Sequence, residues 1–458
     1  MENIINKVVE NLKQELIDFF GQMPDLSDTE TFTLTKLKAM MLQLTRAYAE
    51  EIDAAVCLDK SGRRKEGLRI ERHGDERVVL TDIGELHYQR SYFSKKDGTY
   101  DYPVDRVLGV DSYQRVSNNT ILKLTDEARR HSYESASRIV TEGKVSKQSV
   151  MNAIRRCQAV EEEQELRHVP VLHIDADEDH VNLQNGRTLI APLVTVYEGL
   201  EKIGNGKRAR HRCINAFHKA GCKTNEEFWE EVYESITDRY DLRGTRIYLH
   251  GDGAAWIKQG VDCFPNCTFV LDCYHRNKAK KMVFAGCKKG ESIDEKRNLA
   301  IALQYGNRKI LNKVWTRRIM QNPEYRDRID EGMNYLSQNL DAIAVRYADP
   351  EARNGGATEP HISHVLSSRL SSRPMGWSLE TLEHLIPILA TKSFSLNSCG
   401  QTMLPKYLEG AGQKAIEKMT SKKKYSLFAV DPDRSVTSEV ISNGHVTQLY
   451  QVLKGIGM

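Results

Sequence analysis

The sequence predicts an α/β protein built around a mixed β-sheet. Strand-like runs and amphipathic runs alternate over 165–277, in the order β-β-β-α-β-α-β. The first three runs alternate apolar and polar residues, and Asn185-Gly186 supplies a hairpin turn, so they predict adjacent antiparallel strands. Two apolar strands follow, RIYLH and CTFVLD, each after a helical segment. This order of elements is that of an RNase H-like fold.

Other patterns surround this core. Apolar residues recur at three- and four-residue steps near the amino terminus, VVLTDIGELHYQRSYF reads as a hairpin, and Lys/Arg clusters mix with apolar residues beyond 278. The predicted regions are a helical region (1–70), a β-ribbon (75–110), a helix-turn-helix-like region (112–160), the first part of the core (165–277), an all-α insertion (278–350), the second part of the core (351–400) and a carboxy-terminal region (401–458).

Composition excludes several classes of protein. With 458 residues, 40% hydrophobic and 28% charged, the chain is long enough for several domains. No apolar stretch approaches the roughly 20 residues that span a bilayer, and the acidic amphipathic start lacks the features of a secretory signal. We therefore expect a cytoplasmic protein without a membrane partner. A net charge of only +3 means that any nucleic-acid surface must come from local segregation of charge.

Two short helical patterns, SYESASRIV and SVMNAIRR, predict a helix-turn-helix. Gly143 relaxes the turn between them, Ser146 is an N-cap candidate, and Val150 and Ile154 face inward. The residues left for a major groove are Lys147, Gln148, Met151, Asn152 and Arg155. Plain helical packing is the equally ordinary alternative.

Acidic residues follow the predicted core strands. In VPVLHIDAD, strand alternation puts Asp175 and Asp177 on the same face, so both are candidates for one role. Asp252 follows the next core strand, and Glu359 precedes Pro360 at the threshold of a later helix. Converging carboxylates suit Mg²⁺ or Mn²⁺, and two such ions serve phosphodiester chemistry. Taken singly, each acid is more simply a turn residue or a helix cap.

Asp272 and His275 share one strand-to-helix junction. They are placed to orient a scissile phosphate or an attacking water, and the alternative is a local hydrogen bond that fixes the turn. A zinc set of Cys263, Cys267, Cys273 and His275 is the weaker interpretation, because the intervening strand would carry its ligands apart.

The segment SSRLSSRPMGW combines hydroxyl and guanidinium groups suited to phosphate contacts, with Arg369 and Arg373 as the candidate DNA-binding residues. A solvated helix face is the alternative. Trp377 is a candidate for stacking on an extruded base, although a lone tryptophan more often belongs to a core.

The motifs ADEDHVNLQ, HGDGAAWIKQG, LDCYHRNK and EPHISHVLSSRLSSRPMGWS resemble those of DDE transposases of bacterial insertion sequences. The resemblance is to the ISLre type, related to Mutator-like transposases with an RNase H-like core, and it covers most of the chain. It implies that Asp177, Asp252 and Glu359 form the catalytic triad, with Asp175 as the alternative first acid. It also implies that Asp272 and His275 match a D-x-x-H signature between the second and third acids.

The resemblance implies a metal-dependent enzyme that binds the terminal inverted repeats of its own element, cuts a strand and joins the freed 3′-hydroxyl to target DNA. We expect double-stranded DNA as partner, Mg²⁺ or Mn²⁺ as a two-metal cofactor, and a homodimer or higher oligomer on DNA. Two rivals are a non-catalytic DNA-binding regulator derived from such an enzyme and a structure-selective RNase H-like nuclease.

Overall fold

The computed structural model describes residues 4–161, 164–204, 210–224, 226–288, 290–354, 358–397 and 406–420. The chain divides into two compact units. The first is built on the amino-terminal part as far as Ala153, without Arg129–His131, and includes the described residues from Leu396 onward. The second comprises Arg129–His131 and Ile154–Ser395.

The described part of the chain is rich in both kinds of regular structure. Its helices are α1 (Ile4–Phe20), α2 (Leu26–Leu58), α3 (Lys60–Glu66), α4 (Pro103–Val107), α5 (Asn118–Arg130), α6 (Tyr133–Thr141), α7 (Lys147–Arg155), α8 (Glu226–Thr237), α9 (Ala255–Gln259), α10 (Cys273–Val283), α11 (Ile293–Gln304), α12 (Arg308–Gln321), α13 (Arg326–Gln338), α14 (Leu340–Ala348), α15 (Thr358–Ile362), α16 (Ser368–Leu370), α17 (Leu379–Ala390) and α18 (Lys406–Thr420). Its strands are β1 (Arg69–Thr81), β2 (Gly84–Ser94), β3 (Tyr100–Asp101), β4 (Cys157–Val160), β5 (Val171–Asn182), β6 (Thr188–Tyr197), β7 (Leu200–Ile203), β8 (Arg210–Cys213), β9 (Phe217–Ala220), β10 (Arg246–Gly251), β11 (Cys267–Leu271) and β12 (Ser393–Leu396).

The second unit is organised by a five-stranded mixed sheet with the strand order β11-β10-β5-β6-β9. The hairpin β5–β6 and the pair β6–β9 are antiparallel, whereas β10 runs parallel to both β5 and β11. Gly186 in the hairpin turn has φ 79°, which is the conformation that the predicted Asn-Gly turn requires. The predicted α/β class is therefore confirmed. The third predicted strand, RCINAFHK, is divided between β8 and β9, and β8 pairs with β7 in a separate hairpin.

The two faces of this sheet differ in chemistry because side chains alternate along β5. Leu172, Ile174 and Ala176 belong to an apolar core together with Trp229 of α8. His173, Asp175 and Asp177 occupy the opposite face, as the sequence predicts. Polar side chains therefore line the face from which a site can be built.

The helical insertion has its own apolar core. Leu303, Leu311 and Val314, which the sequence marks as the apolar face of this region, are buried in it. Helix α10 packs against α13 where Gly332 leaves room, since a Cβ there would lie 2.8 Å from the carbonyl oxygen of Ala279. This packing fixes the direction in which α10 leaves the sheet.

The first unit joins helices to a β-ribbon. Strands β1 and β2 form an antiparallel hairpin, and β3 adds a short third strand after a turn in which Gly98 has φ 80°. Helix α2 packs against strand β2. The buried Asp53 carboxylate of α2 accepts hydrogen bonds from the Ser91 amide (2.7 Å) and hydroxyl (2.6 Å). Helix α18 packs on α2.

The regions expected from the sequence are finer than these two units, and their boundaries stay predictions. Among the described residues, none of the helices combines the length and the apolar character that crossing a membrane requires.

Replacing Gly251 by alanine is expected to destabilise the second unit by about 1–3 kcal/mol, the usual cost of overpacking. The added Cβ would lie 2.8 Å from Cγ2 of Ile257 and 3.0 Å from the carbonyl oxygen of Ala176. Urea unfolding measures the change, and Gly376→Ala is the matched control because its nearest neighbours lie 3.5 Å away. Equal midpoints for the two variants would contradict the close strand packing at Gly251.

Candidate active site

Three acidic residues lie side by side on neighbouring parallel strands, with Asp177 inside β5 and with Asp252 and Asp272 directly after β10 and β11. Register pairs His250 of β10 with Asp175 of β5, so two residues farther along Asp252 comes beside Asp177. On the other side of β10, Gly251 pairs with Leu271, and the Asp272 amide donates to the Gly251 carbonyl oxygen at 3.0 Å. Asp177, Asp252 and Asp272 therefore stand in a row across the sheet, at the level where β10 and β11 end and β5 continues to Asn182.

The side chains of this row share one face of the sheet. Adjacent strands lie about 4.8 Å apart, and partners in register point to the same side. Asp177 and Asp252 are each partly exposed, whereas Asp272 is buried. Two neighbouring carboxylates that remain open to solvent are suited to share a hard divalent cation.

Local hydrogen bonds hold the two exposed acids. Oδ1 of Asp177 accepts from the Glu178 amide at 2.9 Å, and Oδ1 of Asp252 accepts from the Ala254 amide at 2.8 Å. The hydroxyl of Tyr335 on α13 donates to the main-chain oxygen of Asp252. The loop after β10 is thus tied to the helical insertion.

Asp272 and His275 form a fixed pair at the start of α10. Asp272 caps the helix, because its Oδ1 accepts from the His275 amide at 2.8 Å, and its Oδ2 lies 2.9 Å from Nδ1 of His275. The hydrogen bond to Asp272 raises the pKa of His275, burial opposes this, and the charges of Asp272, Asp252 and Asp177 raise the pKa further. The local turn-fixing bond is therefore present, and it also places an easily protonated imidazole beside the acid row.

Asp175 differs in its surroundings from Asp177. It is only 1% exposed, and the buried Tyr197 hydroxyl donates to its Oδ1 at 3.1 Å. On the same face, Nδ1 of His173 lies 3.2 Å from Nε2 of His250, and burial lowers the pKa of both imidazoles. Asp175 thus belongs to a buried polar layer beneath the row, which favours Asp177 as the first acid.

Glu359 lies in the first turn of α15, immediately before Pro360. Because proline is tolerated in the first turn of a helix, Pro360 is compatible with this position. Helix α15 packs against β5 and β6, and a π-helical turn (Ser363–Ser367) and α16 continue it. The side chain of Glu359 lies outside the described residues. The backbone of the third predicted acid is therefore brought to the strand that carries the first.

Two contacts fasten this helical segment to the sheet. At one end Nε2 of His361 lies 3.5 Å from Sγ of Cys213, and its ring contacts that of His218. At the other end the Ser371 hydroxyl donates to the buried Asp179 carboxylate at 2.8 Å. Because Asp179 is on the polar face of β5, the segment runs along that face.

The donor chemistry of the row fits an oxygen-preferring ion. Asp177 and Asp252 supply two carboxylates, and Glu359 is the further one expected from the sequence. Within the described ranges, which exclude the Glu359 side chain, no three His, Cys, Asp or Glu side chains are arranged to hold one metal ion. The zinc interpretation is therefore wrong, since Cys263 and Cys267 lie before and at the start of β11, whereas Cys273 and His275 follow its end.

Helices α6 and α7 have the predicted helix-turn-helix features. Gly143 has φ 82°, and Ser146 caps α7, since its Oγ accepts from the Ser149 amide at 3.1 Å. Val150 and Ile154 are buried as predicted. The side chains that α7 exposes are Lys147, Gln148 and Asn152, while Met151 is partly buried. Lys147 also pairs with Glu134 of α6 at 2.7 Å.

Three of the candidates for DNA contacts instead contact other parts of the protein. Arg155 is bonded within the second unit, to the Ser378 and Thr381 hydroxyls (both 3.1 Å) and to Glu380 (2.8 Å). Arg369 is only 7% exposed, with its guanidinium 4.6 Å from the ring centre of Trp377. Trp377 is itself buried and donates to the Leu370 carbonyl oxygen at 3.0 Å.

These positions correct the sequence analysis. Arg155 and Arg369 are tied into the protein, and Trp377 is a core residue, so none of the three presents a free surface for DNA. Arg373 is exposed, and its phosphate contact stays a prediction. Sequence reasoning also missed Tyr335, His361 and the Ser371–Asp179 bond, because long-range contacts leave no periodic signal.

The fold and the site define an α/β protein with acidic residues side by side on neighbouring parallel strands. The family model UPF0236, described as an uncharacterised protein family, matches residues 26–401. A UPF0236 protein of Caldanaerobacter subterraneus subsp. tengcongensis is 34% identical over 475 residues, covering 99% of this chain and 97% of the relative. Another from the same strain is 32% identical over 478 residues, covering 99% and 97%. The chain belongs to the UPF0236 family.

A more distant relative is the UPF0236 protein in the vanSb 3′ region of Streptococcus gallolyticus. It is 23% identical over 264 residues, covering 53% of this chain and 57% of the relative.

Replacing His275 by glutamine tests the charge of the pair. Folding raises the pKa of His275 above 6.5. The protonated imidazole therefore contributes its full stabilisation below pH 6.5, and this contribution is lost as the pH rises through the raised pKa. The loss of melting temperature in His275→Gln is therefore expected to be larger at pH 6 than at pH 9, in EDTA. His211→Gln, at an exposed strand position, controls for loss of a histidine, and a pH-independent loss in His275→Gln would refute the pairing.

Proposed function

We propose that this protein is a metal-dependent DDE transposase of the ISLre type, with an RNase H-like catalytic core. The observation that carries the proposal is the strand register that sets Asp252 beside Asp177. Acids 75 positions apart in the sequence become neighbours through two parallel strands. Side-by-side carboxylates on a sheet are what two-metal phosphodiester chemistry needs.

The connectivity of the sheet supports the same proposal. Numbered along the core, β5, β6, β9, β10 and β11 are strands 1 to 5, and their order across the sheet is 3-2-1-4-5. The first three strands are antiparallel, and the last two run parallel to the first. This arrangement is the one expected of an RNase H-like core.

The names of the relatives add a further argument. One UPF0236 protein of the Caldanaerobacter strain carries a name that joins eleven gene designations, and another joins four. A genetic element that copies or moves itself would leave its gene at many loci of one genome. Such recurrence is not expected of a nuclease with a housekeeping role.

In the proposed reaction the residues of the chain mainly position groups. Asp177, Asp252 and Glu359 would hold Mg²⁺ or Mn²⁺, which when bound activates the attacking oxygen and stabilises the leaving one. Asp272 orients the imidazole through its contact with Nδ1 of His275. This leaves Nε2 of His275 to face the phosphate. A protonated imidazole there offsets the negative charge that the phosphodiester brings to a row of carboxylates.

Asp252→Asn is expected to lower strand cleavage on the order of 10³-fold, since it removes several kcal/mol of transition-state stabilisation. The assay incubates the protein and Mn²⁺ with DNA that carries the flanks of its own coding region, and maps the nicks. Binding of the same DNA should be retained. Asp238→Asn, at an exposed position after α8, is the matched control, and unchanged cleavage by Asp252→Asn would refute the proposal.

The rivals give different results in the same assay. A non-catalytic regulator would bind the ends and leave them uncut at any Mn²⁺ concentration. A structure-selective nuclease would cut branched DNA or hybrids as readily as element ends. Competition with unrelated duplex at a fixed salt concentration separates end recognition from general affinity.

Replacing both Gln148 and Asn152 by alanine is expected to weaken binding to element ends about tenfold or more, because each base-edge contact contributes about 1–3 kcal/mol of discrimination. Affinity for unrelated duplex should hardly change, since phosphate contacts supply it. Fluorescence anisotropy at one salt concentration measures both. Gln164→Ala, exposed before β5, is the control, and equal losses on both DNAs would contradict base readout by α7.

A further inference from the structure

Helix α10 exposes a line of side chains that the proposed chemistry does not use. Tyr274, Lys278 and Lys281 are separated by four and three positions, so they follow one face of the helix. All three are exposed, and Tyr274 keeps 54% of its surface in contact with solvent. An aromatic ring and two ammonium groups are therefore presented together.

The opposite face of α10 is firmly held. Ala279 and Val283 are buried in the core of the helical insertion, and Gly332 of α13 packs closely against them. The helix therefore cannot turn its exposed face inward without opening that core.

The exposed face begins at the acid row. Asp272 caps the helix and borders Asp252 in the sheet, and Tyr274 follows two residues later. The Tyr274 ring meets the His275 ring edge-on, with centres 5.1 Å apart. Lys281 lies about 10 Å farther along the helix axis. The line therefore leads outward from the row of acids.

The charges on this face are available to an external anion. Lys147 and Lys219 each pair with a glutamate. Neither Lys278 nor Lys281 takes part in an ion pair or a side-chain hydrogen bond with any residue that the structure describes. Lysines without such partners beside an exposed aromatic ring match the chemistry of a nucleic-acid strand, whose phosphates take the cations and whose bases stack.

We propose that this face of α10 binds the unpaired DNA strand next to the cleavage position, with one base stacked on Tyr274 and the adjoining phosphates on Lys278 and Lys281. The inference rests on the proposed function, because it assigns the strand to a DNA substrate. An unpaired strand fits better than a duplex, since a base inside a duplex offers no free face to an exposed ring.

Binding of a fluorescein-labelled 20-nucleotide oligothymidylate to the full chain, in EDTA, tests the inference without requiring cleavage. Tyr274→Ala is expected to weaken binding about tenfold, within the range for loss of one base stack, whereas Tyr274→Phe should bind like the wild type. Replacing Lys278 and Lys281 by glutamine should lower the salt dependence, d log K/d log[salt], by about 1.4, or about 0.7 for each phosphate on a single strand.

The controls come from the same helical insertion. Tyr305 is 70% exposed, and Lys309 and Lys313 are exposed on α12, so Tyr305→Ala and the double change to glutamine should leave binding unaltered. Circular dichroism establishes that each variant is folded. Binding in EDTA requires neither metal nor cleavage, so the measurement separates a failure of this inference from a failure of the proposed catalysis.

Several results would overturn the inference. One is equal affinity of Tyr274→Ala and the wild type, and another is an equal loss in Tyr305→Ala. The inference also fails if the wild type does not bind the oligothymidylate, or if Tyr274→Ala weakens binding of a 20-base-pair duplex as much as binding of the single strand.

Discussion

The parallel hydrogen bonding of β10 between β5 and β11 is the constraint on which the candidate site depends. Main-chain pairing, from Val171 with Arg246 to Gly251 with Leu271, sets the middle of β5 level with the ends of β10 and β11. A slip of one residue would move every side chain of a strand to the other face. The apolar core beneath the sheet resists such a slip, because Leu172, Ile174 and Leu249 would be turned out of it.

This arrangement has an electrostatic cost that other groups offset. Carboxylates on neighbouring strands repel each other when both are ionised. Amide groups at Glu178, Ala254 and His275 donate to the acids, and His275 brings an imidazole whose pKa is raised. A divalent cation held by Asp177 and Asp252 would relieve the repulsion that remains between them.

Local patterns predicted much of the fold and part of the site. Alternation in β5 placed Asp175 and Asp177 on one face, and the Asn185-Gly186 turn and the Ser146 cap were predicted from local chemistry. Where the sequence patterns allowed two interpretations of a residue, its burial in the structure distinguished them. Arg369 and Trp377 lie in a run rich in polar residues, yet they stack together in the interior, and only the tertiary fold reveals it. Similarly, Asp175 and Asp177 lie on the same face of the predicted strand, and only the burial of Asp175 and its contact with Tyr197 distinguish them.

The most direct test of the central claim is anomalous diffraction from crystals soaked in Mn²⁺. The account predicts an ion within about 2.1 Å of carboxylate oxygens from both Asp177 and Asp252, the usual ligand distance for a small hard cation. Manganese bound elsewhere, with those two carboxylates left without it at saturating concentration, would contradict the account.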